Sequence, residues 1–187
     1  MPSPLKLLAL VLVLLAALPG SWASDAKVVA SYGYFALDAN SGGRSSSISN
    51  PSAFHVAYLK PKWERWELKI GYSLLMADFS GSDLGYGIDA GMNYYPLSSA
   101  MEEKLTTGDV TVTRYEVWMP FVGMSFNQRS FQSVRNSYAG FGVSAGSERY
   151  YSEKINLRAE LRYTSLGGSN ESEATETTLT FGVVFKL

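Results

Sequence analysis

The sequence predicts an all-β protein, a closed antiparallel up-and-down β-barrel of eight strands that crosses a membrane and follows a cleaved export signal. Three observations predict this fold. Several segments alternate strictly between apolar and polar residues, aromatic residues gather near both ends of these segments, and no apolar stretch after residue 18 is long enough to form a membrane helix.

The first 23 residues have the pattern of a secretory signal. Lys6 precedes an unbroken run of 12 apolar residues at 7–18, and the small residues Ser21 and Ala23 occupy the −3 and −1 positions of a cleavage site. Twelve apolar residues are too few to span hydrocarbon, which takes about 20. We therefore expect a signal peptide at 1–23 and a single barrel domain at 24–187.

Composition narrows the function classes. The segment after residue 23 keeps 15 of the 16 Lys and Arg and all 17 Asp and Glu, so its formal net charge is −2. That balance argues against a nucleic-acid partner. The chain contains no cysteine, which excludes disulfides, thiolate metal ligands and a lipoprotein anchor. We expect no cofactor and no bound metal.

Four segments carry the strongest strand pattern. In 66–74 every even position, from Trp66 to Leu74, is large and apolar, whereas the odd positions are charged, small or polar. The same alternation recurs over 86–94, 155–163 and 178–187. Because successive side chains of a strand point to opposite faces, each segment has one apolar face and one polar face. Weaker alternation over 28–34, 54–58, 122–126 and 139–145 brings the predicted count to eight.

The connections are predicted from turn residues and polarity. Four lie at one end of the barrel, at 38–52, 78–85, 129–136 and 166–174, and three lie at the other, at 60–65, 96–118 and 147–154. The prolines after residue 23 are assigned to strand ends because they lack a backbone donor; they are Pro51, Pro61, Pro96 and Pro120. Within the long 96–118 connection, 109–113 alternates and predicts either a short strand or the start of a ten-stranded barrel.

Aromatic residues gather at the predicted rims. Hydrocarbon satisfies no backbone donor, so strands inside it must close into a barrel, and rings with a polar tip collect at its interfaces. The girdle predicted at the rim of the 60–65 connection consists of Trp63, Trp66, Tyr94, Tyr95, Trp118, Tyr150 and Tyr151. A soluble lipocalin-like binder, with its apolar face turned inward, would also alternate and stays an alternative.

Two segments carry a family resemblance. The alternating ending Leu179, Phe181, Val183, Phe185 and Leu187 resembles the C-terminal assembly signal of outer-membrane barrels. The segment 120–124, Pro-Phe-Val-Gly-Met, resembles a strand opening of the small OmpA/OmpX/OmpW-like barrels. The resemblance implies a bacterial outer-membrane location, recognition by the barrel assembly machinery and periplasmic chaperones, and contact with outer-membrane lipid and lipopolysaccharide. It implies no activity. We expect a monomer.

The polar strand faces are predicted to line the lumen. Eight strands enclose an interior just wide enough for side chains to fill. The predicted lumen network consists of His55, Glu67, Lys69, Asp89, Asn93, Arg158, Glu160, Arg162 and Lys186. Both charge signs are present, and buried charges are tolerable only when paired. A structural network is therefore predicted, and a narrow transport path for small or apolar solutes is the alternative.

No catalytic residue is predicted. His55 is the only histidine and has no serine at short spacing, so a Ser-His hydrolase of the kind found among lipid A-modifying barrels is a remote alternative. A loop at 78–83 carries Asp, Ser and Asp and could hold Ca²⁺, but a solvated loop looks the same. Arg44, Arg129 and Arg135 are expected in outward loops, within reach of lipopolysaccharide phosphates. The predicted role is structural or surface interaction.

Overall fold

The computed structural model describes residues 25–41, 44–76, 84–100, 103–107, 110–114, 116–131, 137–168 and 172–187. The predicted signal peptide at 1–23, the 78–83 loop motif and Arg135 lie outside these ranges, as does the side chain of Arg44. The described residues include no helix that is both long and apolar enough to span a membrane.

The chain forms a closed barrel of eight antiparallel strands in the order β1-β10-β9-β8-β7-β4-β3-β2. The barrel strands are β1 Lys27–Ser41, β2 Arg44–Trp63, β3 Trp66–Met76, β4 Leu84–Tyr94, β7 Trp118–Phe131, β8 Ser137–Ser152, β9 Ile155–Gly168 and β10 Glu173–Lys186. Strands adjacent in the barrel are also adjacent in the sequence, except where a hairpin intervenes between β4 and β7 and where β1 closes on β10. The predicted eight-stranded barrel is confirmed.

The intervening hairpin consists of β5 Glu103–Thr107 and β6 Val110–Arg114, which pair with each other in a separate two-stranded sheet. The short strand predicted at 109–113 is therefore present as β6, and the ten-stranded alternative is wrong. The segment 95–100 that leads into this hairpin is fastened to the β2–β3 turn. The Tyr95 amide donates to the carbonyl of Arg65, and the Ala100 amide donates to that of Glu64.

Alternation places the apolar residues on the outside of the barrel. In β9 the even residues Asn156, Arg158 and Glu160 are buried, whereas Leu157 and Leu161 are exposed. Phe181 on β10 and Ile70 on β3 are each 62% exposed. An apolar exterior around a buried polar interior is the reverse of a soluble barrel and argues against the lipocalin-like alternative.

The first two strands extend further than their sequence pattern predicted. The predicted 38–52 loop is instead a strand extension, because β1 continues to Ser41 and β2 begins at Arg44. Pro51 and Pro61 consequently lie inside β2 rather than at its ends. Both prolines sit where the register with a neighbouring strand is irregular, and a bulge tolerates the missing proline donor.

The barrel lumen as candidate functional site

Eight of the nine residues predicted for the lumen are buried inside the barrel. They lie on β2, β3, β4 and β9, each at an inward position, and they are His55, Glu67, Lys69, Asp89, Asn93, Arg158, Glu160 and Arg162. Lys186 is placed differently: it is half-buried near the end of β10, and its ammonium lies 5.5 Å from the centre of the Tyr150 ring. We call the end of the barrel at which β1 begins and β10 ends the lower end.

A six-residue cluster, the lower cluster, occupies the lower and middle lumen. Its members are Lys27, Glu67, Lys69, Glu148, Arg158 and Glu160. Lys27 Nζ lies 2.9 Å from Glu67 Oε2 and 3.5 Å from Glu148 Oε2. Arg158 bridges two carboxylates, with Nη1 at 2.6 Å from Glu148 Oε1 and Nη2 at 2.9 Å from Glu160 Oε2. Lys69 completes the cluster at 2.8 Å from Glu160 Oε1.

A second group, the upper cluster, consists of Asp89, Arg129, Arg162 and Glu176. The Arg129 guanidinium donates two hydrogen bonds to Glu176, from Nε at 2.7 Å and from Nη2 at 3.0 Å. Its Nη1 also lies 2.8 Å from Asp89 Oδ1. Arg162 Nη1 approaches the other Asp89 oxygen at 3.3 Å. Planar bidentate pairing of this kind is the strong form of an ion pair.

The two clusters are each electrically neutral. The lower cluster holds three cations and three anions, and the upper cluster holds two of each, so the ten charges sum to zero with His55 neutral. Every one of the ten lies within 4.0 Å of an opposite charge. Removal of ions from water costs several kcal/mol per ion unless partners compensate, and balanced pairing meets that requirement here.

Buried apolar side chains lie beyond both clusters. Above the upper cluster, seven buried residues pack together: Phe35, Leu37, Ala53, Leu75, Tyr138, Leu166 and Ala174. At the lower end, Tyr95, Ala100, Met119 and Phe121 form another buried group. The Tyr95 hydroxyl lies 3.0 Å from Glu67 Oε1 and 2.9 Å from Glu148 Oε1, so this ring joins the lower apolar group to the lower cluster.

Small residues make room for the large charged ones. Gly87 on β4 faces Arg129 on β7 across the ladder. A Cβ at residue 87 would overlap the backbone oxygen of Gln128 and approach the Arg129 side chain to 2.7 Å. Gly71 likewise leaves space for His55, whose Nε2 would lie 2.5 Å from a Cβ there. A cavity of about 10 Å³ beside His55 and Lys69 is close to the smallest volume that holds one water.

Four members of the network were missed in the sequence: Lys27, Arg129, Glu148 and Glu176. The expectation that Arg129 lies in an outward loop is wrong, because β7 continues to Phe131 and its odd positions point inward. Its side chain is fully buried. The available signal was parity, since Arg129 stands at an even spacing from Phe121, the first inward aromatic of the same strand.

The lone histidine meets a serine and a carboxylate inside the barrel. His55 Nε2 lies 3.2 Å from Asp89 Oδ2, and Ser73 Oγ donates a hydrogen bond of 2.8 Å to the same oxygen. A nucleophilic serine must donate to the imidazole, which takes its proton. Here Ser73 and His55 both contact the Asp89 carboxylate. All three side chains are buried, so the order of contacts suits a structural network.

The predicted lower girdle is divided between the outer wall and the interior. Trp63, Trp118 and Tyr151 are 56%, 59% and 71% exposed. Trp66 packs on Tyr94 with ring centres 4.8 Å apart, and both are half-buried. Tyr150 is also half-buried, beneath Lys186. Tyr95 does not belong to the girdle, because it follows Tyr94 on the opposite strand parity and is fully buried in the lumen.

The C-terminal strand presents the predicted apolar face outward. Leu179, Phe181, Phe185 and Leu187 are exposed, and Val183 is half-buried. The strand closes the barrel by pairing with β1, from Lys27 opposite Lys186 to Asn40 opposite Glu173. The Leu187 amide donates to the carbonyl of Ala26. These residues therefore form the closing seam of the barrel.

Comparison with known proteins gives a likeness in structure only. No protein-family model and no curated protein matches the sequence. The fold is similar to that of Neisserial surface protein A, with 18% sequence identity, a TM-score of 0.58, and coverage of 88% of this chain and 98% of that one. The N-terminal β-barrel domain of Pseudomonas aeruginosa OprF matches at 13% identity and a TM-score of 0.49, over 87% of this chain and 97% of that domain.

The attachment invasion locus protein Ail of Yersinia pestis matches at 15% identity and a TM-score of 0.40, over 87% of this chain and 99% of that chain. The architecture and the likeness to Neisserial surface protein A define the fold as a small, closed, eight-stranded antiparallel β-barrel. The resemblance predicted from the ending of the chain and from segment 120–124 is thereby confirmed at the level of the fold.

Proposed function

We propose that this protein is an integral barrel of the bacterial outer membrane with a structural or surface-interaction role, a side-chain-filled lumen and no catalysis. The observation that carries the proposal is the combination of an exposed apolar wall with ten paired charges inside it. Either feature alone fits other proteins, but together they are typical of a barrel that is surrounded by lipid and has a closed interior.

The outer wall supports the membrane location. Barrel strands of 11 to 20 residues exceed the roughly 9–11 needed to cross hydrocarbon at a tilt. Large exposed apolar side chains occur on all eight of them, whereas a soluble monomer rarely exposes a contiguous apolar patch beyond a few hundred Å². The exposed tryptophans at the lower end suit an interface between lipid and water.

The lumen supports closure to solutes. A conducting path needs open polar space, yet the described lumen is crossed by ion pairs of 2.6–3.5 Å and is covered by apolar layers. Translocation of a solute would require several of these pairs to separate at once. Each separation costs several kcal/mol, since it leaves a buried charge without a partner.

The site chemistry supports a non-enzymatic role. His55 and Ser73 share a carboxylate instead of forming a nucleophile–base pair, and both lie in the interior. The partners that follow from the proposal are outer-membrane lipid, lipopolysaccharide on the outer face, and the barrel assembly machinery and periplasmic chaperones during biogenesis. The expected oligomeric state is a monomer.

Three measurements test the proposal. Membranes from expressing cells are washed with carbonate, and the retained protein is run on a gel before and after boiling. A barrel of this kind is expected to stay with the membrane and to change mobility on boiling; release by carbonate, or identical mobility, would refute the location. The purified protein is then placed in a planar bilayer, where discrete solute-permeable openings would refute the filled lumen and favour the transport alternative.

A further inference from the structure

Three strands rise beyond the apolar band and present a regular polar array on the outside of the barrel. The array has two rows of three residues, in which each row runs across β10, β1 and β2. The upper row is Glu173, Asn40 and Ser45, and the lower row is Thr175, Asp38 and Ser47. Neighbouring strands are about 4.8 Å apart and alternate residues of a strand about 6.7 Å.

The bulge in β2 makes this array possible. Below the bulge the outward residues of β2 are even-numbered, as in exposed Phe54, whereas above it exposed Ser45 and Ser47 are odd-numbered. The register shifts between Gly33 and Phe35, opposite the stretch that contains Pro51. The extra residue in this stretch turns the serines to the outer face, beside Asp38 and Asn40, rather than toward the interior.

The array borders a cavity of about 350 Å³ that the same six residues line together with Ala39 and Ala174. Its lining offers carboxylate, amide and hydroxyl groups, which both donate and accept hydrogen bonds. Five of the six side chains are exposed and Thr175 is half-buried. The array begins two rows above Tyr34 and Leu179, which face each other across β1 and β10 and are the last large apolar pair below it.

The charge of the array indicates which of the chemical groups directly above an outer-membrane surface it can bind. Two carboxylates belong to the array, those of Asp38 and Glu173. Phosphate groups would be repelled by Asp38 and Glu173, and would need cationic partners. Neutral sugar hydroxyls have no such requirement and match the mixed donors and acceptors of the lining.

We infer that the array is a saccharide-binding surface for the neutral sugars of the lipopolysaccharide core. The inference rests on the proposed outer-membrane location and adds to it the chemical part of the lipid that the protein contacts. The sugars accept from Asn40 and the hydroxyls, and donate to the carboxylates of Asp38 and Glu173. The array thus fixes one side of the barrel in the sugar layer.

The test compares thermal unfolding in nanodiscs that contain phospholipid alone, lipid A without core sugars, or lipopolysaccharide with its full core. Unfolding is followed by the heat-dependent gel shift. The expected result is a higher midpoint with the full core than with lipid A, as binding to the folded state alone requires. The double variant D38A/N40A is expected to lose most of that increment.

Two further variants keep the result interpretable. D38N retains hydrogen bonding without the charge and is expected to keep the increment. The matched control Q128A/S137A removes outward polar side chains from β7 and β8, on another part of the wall, and is also expected to keep it. Equal midpoints with lipid A and full core, or an undiminished increment in D38A/N40A, would overturn the inference.

The same variants distinguish saccharide binding from one competing contact, a bridging divalent cation. If a divalent cation bridged Asp38 to a core phosphate, D38N would lose the increment and a chelator would abolish it in the wild type, and this outcome also overturns the saccharide assignment. Failure of the proposed function looks different: the protein would not enter nanodiscs of any composition. If the protein inserts and shows the heat-dependent gel shift, but its unfolding midpoint does not depend on the core sugars, only the saccharide surface is refuted.

Discussion

The Arg129–Glu176 pair offers the sharpest test of the lumen network. Replacement of Arg129 by Met removes two hydrogen bonds to Glu176 and an ion pair with Asp89, and it leaves the upper cluster with a net charge of −1. Breaking a buried pair by removal of one partner costs about 3–5 kcal/mol. We expect R129M to lower the free energy of unfolding by about that amount, and E176Q to do the same with the opposite residual charge.

The double variant R129M/E176Q should be less destabilised than the sum of the two single variants. It removes one cation and one anion, so Asp89 and Arg162 remain as a neutral pair 3.3 Å apart. We therefore expect the double variant to cost about as much as one single change, roughly 3–5 kcal/mol, instead of a sum of roughly 6–10. The coupling free energy is then about 3–5 kcal/mol.

Urea unfolding of the refolded protein in lipid vesicles measures all four free energies. The matched control is R149M, because Arg149 is an exposed arginine that lies 5.2 Å over the Trp118 ring, a contact worth about 0.5–1 kcal/mol. A strictly additive double variant would refute the paired network. A cost for R129M no larger than that for R149M would show that the guanidinium is not buried among carboxylates.

Three further changes probe the wall, the lower closure and the packing. F181K places a charge on the apolar wall and should lower the free energy of unfolding in vesicles by about 2–4 kcal/mol. The control S165K, nearer the strand end, should lower it much less. Equal urea midpoints for the two variants would argue against lipid contact at Phe181. Y95F removes the hydroxyl shared by two carboxylates and should lower the free energy of unfolding by about 1–3 kcal/mol. A Y95F variant as stable as the wild type would show that this hydroxyl contributes nothing. G87A should prevent the heat-dependent gel shift, since its Cβ overlaps a backbone oxygen, and normal refolding would contradict that packing.

Strand alternation made most of the wall predictable. A period of two identifies which residues share a face, so the exposed apolar residues of β9 and β10 and the buried charges of β9 follow from the sequence. It does not tell where a strand ends. The pattern does not place Arg129 and Glu176 in the lumen, because the apolar alternation fades before them although the backbone ladder continues.

The partners of the buried charges were not predictable. Lys69 on β3 pairs with Glu160 on β9, 91 residues away, because strand tilt and barrel closure bring these positions to the same level of the lumen. No local spacing encodes that distance. The sequence is ambiguous at Tyr95 for a related reason. A tyrosine suits both an interface and a buried hydrogen bond, and only the parity after Tyr94 distinguishes the two.

The orientation of β10 tests the central claim most directly. The chain has no cysteine, so single cysteines at 178, 179, 180 and 181 can carry a spin label in vesicles without background. We expect labels at 179 and 181 to be accessible to oxygen dissolved in lipid, and labels at 178 and 180 to be shielded from both oxygen and a water-soluble relaxation agent. Labels at 179 and 181 that reach the water-soluble agent, with lipid access at 178 and 180, would contradict the account.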